Sequence, residues 1–186
     1  MTQSFDPNPQ PAQAPAAEGA LEMQRAMAAV AELTRRMKSG ASNFYWIAAL
    51  SVVNSILSIA GTGTYFVIGL AVTLLVDGMA IGVAEMAPEA ALIVKIIGLV
   101  VSIMVSAVVA LFGFFAIKGN RWAFITGMVL YGLDGLLMLV FQDWIGILFH
   151  AFFLWGLFGG LRALGQLQHL MPQKRQSDFP QNIGMS

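Results

Sequence analysis

The chain has 186 residues, 58% of them hydrophobic and 11% charged, with a mean hydropathy of +0.74. Ordinary globular domains hold roughly 45–50% and 25%, so a soluble fold of this size could not cover the apolar surface. Formal net charge is zero, Cys is absent and His150 and His169 are the two histidines. That balance excludes a disulfide framework, points to no nucleic-acid partner and argues against a protein-built zinc, iron–sulfur or thiolate site, and no cofactor is expected.

In chain order, residues 1–17 carry Pro7, Pro9, Pro11 and Pro15 among Gln, Ala and Asn, and are expected to be disordered because they have too little apolar surface to offset ordering. Residues 18–39 are predicted to form an amphipathic helix. Met23, Ala26, Val30, Leu33 and Met37 recur at alternating three- and four-residue steps, and Glu32 stands at i,i+3 and i,i+4 spacing from Arg35 and Arg36. Such a helix suits three settings: the headgroup plane, with Arg35, Arg36 and Lys38 on anionic lipid; a two-heptad coiled coil with a second copy; or a solvated lead into the first span. Ser39-Gly40 is expected to break it.

Residues 43–165 form the expected membrane domain, with a polar tail over 166–186. Five apolar blocks fill it, at 44–60, 64–84, 92–117, 122–140 and 144–164, and their interiors are nearly free of ionisable groups beyond Asp77, Lys95, Asp134 and His150. A bilayer core about 30 Å thick takes about 20 residues of helix to cross. If all five blocks cross, the basic residues split almost evenly between the two sides and the positive-inside bias chooses no orientation. If one of the first three enters without crossing, the N-terminal region, the Lys118–Arg121 turn and the C-terminal tail all become cytoplasmic, while Glu85, Glu89 and Asp143 face outward. Block two is the candidate for that element. It is flanked by Gly61 and Gly63, interrupted by Gly69, Gly78 and Gly82, and carries Asp77. An echo between Ile68–Gly78 and Ile125–Gly135 suits five spans instead. The expected fold is therefore an all-α membrane bundle of four transmembrane helices plus one re-entrant or interfacial segment, or alternatively five transmembrane helices, preceded by an amphipathic helix.

Polar residues inside the blocks mark candidate contacts. Ser51, Asn54, Ser55 and Ser58 share one helical face, which should turn away from lipid. Gly98, Ser102, Ser106 and Ala110 form a small-residue ridge, with Gly78/Gly82 and Gly156/Gly160 at the same spacing. Asp134 and His150 stand eight residues before and after Gln142 in a short-looped hairpin, and hence at one depth about 12 Å from the turn at 1.5 Å per residue. An intramembrane Asp facing a His is either a structural pair or a proton-transfer pair. Asp77 has Lys95 as a possible partner across the Glu85–Pro88 turn. No nucleophile elbow, phosphate loop, H-E-x-x-H or membrane aspartyl-protease Gly-x-Gly-Asp pattern occurs, so no enzyme is expected.

The stretch GNRWAFITGMVLYGLD at Gly119–Asp134, followed by QDWIGILFHAFFLWGLFGGLRAL, resembles a family of small bacterial multi-pass membrane proteins of unassigned function. Arg121-Trp122, Asp134, Gln142-Asp143-Trp144 and His150 are its distinctive points. The resemblance implies a bacterial cytoplasmic (inner) membrane and no activity. The expected role is a structural or interaction subunit, self-associating or bound in a larger membrane complex, with the lipid bilayer as its other partner. The alternative is a small oligomeric transporter or channel coupled to protons by Asp134 and His150.

Overall fold

The computed structural model describes residues 13–61 and 69–177, with side chains placed for 17–61 and 69–170. Five α-helices follow one another: α1 (Gln13–Ile59), α2 (Ala71–Met86), α3 (Ala91–Ile117), α4 (Arg121–Val140) and α5 (Trp144–Ser177), with a 3-10 turn at Pro88–Ala90. Among the described residues there is no strand. Four helices, Ala17–Ile59, Pro88–Ile117, Arg121–Val140 and Trp144–Leu170, are long and apolar enough to span a membrane. The helix of block two has 16 residues, about 24 Å at 1.5 Å per residue, short of the ~30 Å of a bilayer core.

Three local expectations are corrected. Ser39-Gly40 does not interrupt the chain, because α1 continues through it as one helix of 47 residues. Gly40 instead serves a helix crossing: a Cβ there would stand 2.5 Å from the Cα of Gly160 and 2.9 Å from the carbonyl oxygen of Gly156, so only a glycine lets the α1 and α5 backbones meet so closely. Helix α1 begins at Gln13, inside the tail expected to be disordered, whose residues 1–12 lie outside those described. Helix α5 runs through Ser177, so the polar residues from 166 begin as a continuation of it. The small pair Gly78 and Gly82 meets nothing, with open space where a Cβ would stand.

The bundle has a chemically distinct end. Gly160 contacts both Gly40 and Phe124, and Gly119 lies against Leu164, which places Arg35, Arg36, Lys38, Lys118, Arg121 and Arg162 together. The Phe141–Asp143 turn and the α2–α3 junction with Glu85 and Glu89 mark the other end. Helix α2 starts in the interior. The N–H of Leu70, just before it, donates to the hydroxyl of Ser51 at 2.8 Å, eight residues before α1 ends, and Met86 then leads into the start of α3 at the acidic end. Helix α1 thus ends near that end, and α2 starts at mid-bundle and runs back to it.

Packing is inverted relative to a water-soluble bundle. Outward positions hold Trp46, Met79, Leu92, Leu148, Phe152 and Trp155, all exposed, while Ser51, Asn54, Ser55, Thr73, Asp77, Ser102, Ser106, Asp134 and His150 are buried. The apolar core lies toward the basic end, where Phe44 packs on Phe124 and Phe112, with ring centroids 6.3 and 6.4 Å apart. Gly127 lies under the Phe44 ring, where a Cβ would stand 2.5 Å from its tip.

Candidate functional site

A helix start exposes N–H groups with no intrahelical partner, and the positive end of its dipole lies there. Ordinarily a Ser, Thr, Asp or Asn at the N-cap answers them. Helix α2 has Leu70 at its N-cap, which offers no capping side chain. The caps come from other helices: Asp134 on α4 accepts from the N–H of Ala71 at 2.8 Å through Oδ2 and from that of Val72 at 2.9 Å through Oδ1. Ser51 on α1 supplies the third acceptor, to Leu70, while its own hydroxyl donates to the Ile47 carbonyl at 2.8 Å. Thr73 completes the turn by donating to the Leu70 carbonyl.

The structure brings Asp134 and His150 together. His150 Nε2 stands 3.0 Å from Asp134 Oδ2, both side chains being buried, and Nδ1 stands 2.8 Å from the Gly146 carbonyl oxygen. A carbonyl only accepts, so Nδ1 carries a hydrogen. In a neutral ring Nε2 is then a bare acceptor, and it would face a carboxylate oxygen with no hydrogen between them. The contact therefore holds one proton, as imidazolium with carboxylate or as imidazole with carboxylic acid, and the pair is neutral either way. Tyr131 stacks on the imidazole, with centroids 4.5 Å apart and planes 16° from parallel. Gly135, one turn on from Tyr131, makes room for the ring, since a Cβ there would meet His150 at 3.1 Å. The Tyr131 hydroxyl is buried without a hydrogen-bond partner.

Asp77 is not joined to Lys95. Its Oδ1 accepts the Ser102 hydroxyl at 2.9 Å, while Oδ2 is buried without a partner, and Lys95 is half-exposed on α3. Of the polar face on α1, Ser51, Asn54 and Ser55 are fully enclosed and Ser58 is half-buried. The ridge on α3 turns inward with Gly98 against Ala80 of α2, Ser102 on Asp77 and Ser106 buried; Ala110 is only half-buried. Among the described residues no three His, Cys, Asp or Glu side chains gather as metal ligands.

Equal distance from the hairpin turn identifies the Asp134–His150 pair, but sequence reasoning missed that the same carboxylate caps a helix more than 60 residues away. The available signal was Leu70 itself: an apolar N-cap opening a short helix after a Gly-rich break leaves N–H groups that something buried has to accept. Comparison with models of protein families, with curated proteins and with solved structures gives no match to this chain.

Proposed function

We propose that the chain is a multi-pass integral protein of a bacterial cytoplasmic membrane, and that it acts as a structural or interaction subunit. Helices α1, α3, α4 and α5 cross, α2 enters and returns, and the basic end with the N-terminal arm faces the cytoplasm. The collection of Arg35, Arg36, Lys38, Lys118, Arg121 and Arg162 at one end supports that orientation by the positive-inside bias. The bacterial assignment rests on the resemblance of the Gly119–Asp134 region. In transporters with broken helices, a half-helix N-terminus is aimed at the anionic group of a substrate. Here Asp134 fills that position, which favours a lock over a transport site.

The observation that carries the interaction reading is the free part of α1. Residues 18–31 are exposed throughout, and Leu21, Met23 and Met27 are 52%, 48% and 58% exposed on a helix that projects from the basic end, beyond the apolar spans. Apolar side chains outside the bilayer are covered by a partner. A two-heptad coiled coil is disfavoured, because Met37 is buried in the bundle core and Leu33 packs against it, leaving three layers at Met23, Ala26 and Val30. The uninterrupted helix at Ser39-Gly40 likewise disfavours an arm lying in the headgroup plane. Cross-linking in native membranes tests the reading. The wild-type chain is expected in a larger adduct that Met23→Glu with Met27→Glu abolishes, and an identical adduct pattern for both chains contradicts it.

A second reading, proton transfer, is favoured by the single proton shared between Asp134 and His150. It requires pH-dependent flux in proteoliposomes that Asp134→Asn abolishes; wild-type protein without flux removes it.

A further inference from the structure

Between α1 and α5, at the basic end, lies a cavity of about 290 Å³ lined by Arg35, Arg36, Ser39 and Asn43 on the α1 side and by Gly156 and Gly159 of α5. We propose that this cleft binds a phosphate group, supplied by the headgroup of an anionic phospholipid. The inference rests on reading the chain as membrane-spanning.

Each of the four polar side chains offers hydrogen-bond donors, and two carry full positive charge. Glu32 takes the Nε of Arg35 at 2.9 Å and that of Arg36 at 2.7 Å, with a further bond to Arg35 Nη2 at 3.0 Å. These bonds draw the two exposed guanidinium groups to one carboxylate and leave Arg35 Nη1 and both Nη atoms of Arg36 to a ligand. Bidentate donation to an oxyanion is what such groups do best. Beyond Glu32, neither wall carries another acid: residues 33–59 contain no Asp or Glu, and neither does α5. Lys38 and Arg162 stand close by in sequence on the two walls, so the local field is positive. Gly159 keeps the cleft open, since nothing lies within 4 Å of where its Cβ would be.

The lipid source is favoured by what lies deeper along the same two faces. Trp46 follows Asn43 by three residues and Trp155 precedes Gly159 by four, and they are 61% and 82% exposed. Indole rings at this position sit at headgroup level, with acyl chains running past them. Basic pockets between membrane helices take lipid headgroups of this kind.

The test is native mass spectrometry of the full chain released from detergent, titrated with phosphatidylglycerol, phosphatidylcholine or inorganic phosphate. One phosphatidylglycerol is expected to remain bound preferentially over phosphatidylcholine. Arg35→Gln with Arg36→Gln is expected to weaken it roughly twenty-five-fold, at about fivefold per arginine, and Gly159→Leu to block it while leaving the fold intact. Displacement of the lipid by millimolar inorganic phosphate would keep the phosphate site and make free phosphate its source. Equal retention of both lipids, or binding unchanged in both variants, overturns the proposal. Alkaline carbonate extraction of the same samples separates the two failures: protein that leaves the membrane contradicts the spans, whereas protein that stays but binds no lipid contradicts the cleft alone.

Discussion

Two carboxylates are buried among the described residues of this bundle, and they are held very differently. Asp134 meets two backbone N–H groups and an imidazole, and ties α4 to both α2 and α5. Asp77, on α2, meets one hydroxyl of α3 and keeps an oxygen without a partner. Burying an acidic group among apolar helices costs free energy unless its acceptors are filled, and a helix start supplies two donors at once. The difference teaches that Asp134 belongs to the architecture, where removing it orphans groups on both α2 and α5, while Asp77 contributes one replaceable tie.

The largest effect should follow from Asp134→Leu. It leaves the N–H groups of Ala71 and Val72 and the Nε2 of His150 without partners, each orphan costing about 1–3 kcal/mol, so unfolding in detergent should show a loss of about 3–9 kcal/mol. Asp134→Asn should lose less, because its amide can donate to His150 and its oxygen can accept from Val72, but the amide nitrogen then opposes the N–H of Ala71. Equal stability of the Leu and Asn variants would break the contrast.

Next comes the crossing at Gly40, where the α1 and α5 backbones meet. Gly40→Leu forces the two backbones apart and should cost about 1–3 kcal/mol or more, with loss of the α1–α5 contact reported by cysteine cross-linking. A smaller effect of opposite sign is expected at Gln142, the described non-glycine residue with positive φ, at 55°. Gln142→Gly should stabilise the α4–α5 turn by about 1 kcal/mol in the same unfolding assay. Smallest of all, Asp77→Asn keeps an oxygen for Ser102 and should change stability by no more than about 0.5 kcal/mol. A loss as large as that of Asp134→Leu would show that the two carboxylates are equivalent after all.

Much of this arrangement was legible in the sequence. Flanking and internal glycines and Asp77 set block two apart from the spanning blocks, and charge placement favours two ends of opposite character. The Asp134–His150 pair follows from counting residues about a short turn. Helix capping across the bundle was not legible, since it depends on where α2 begins in space, and no local pattern links Asp134 to Ala71. The Ser39-Gly40 pair misled for a related reason. A glycine weakens a helix in isolation, but here its missing side chain is what permits the contact with Gly160, and tertiary packing outweighs the local preference. Lys95 failed as a partner for Asp77 because proximity to a common turn does not fix which helix face each side chain occupies.

The central claim is that α2 enters the bundle, is held at its start by Asp134 and returns to the side it came from. Cysteine accessibility tests this most directly, because the native chain has no Cys. Single cysteines at Lys38, Lys118 and Glu89 avoid the positive-φ glycine at 119 and can be labelled from either face of sealed vesicles. The account predicts that Lys38→Cys and Lys118→Cys react from the same side and Glu89→Cys from the opposite one. Reaction of Lys38→Cys and Lys118→Cys from opposite sides would mean that α2 crosses, and would contradict it.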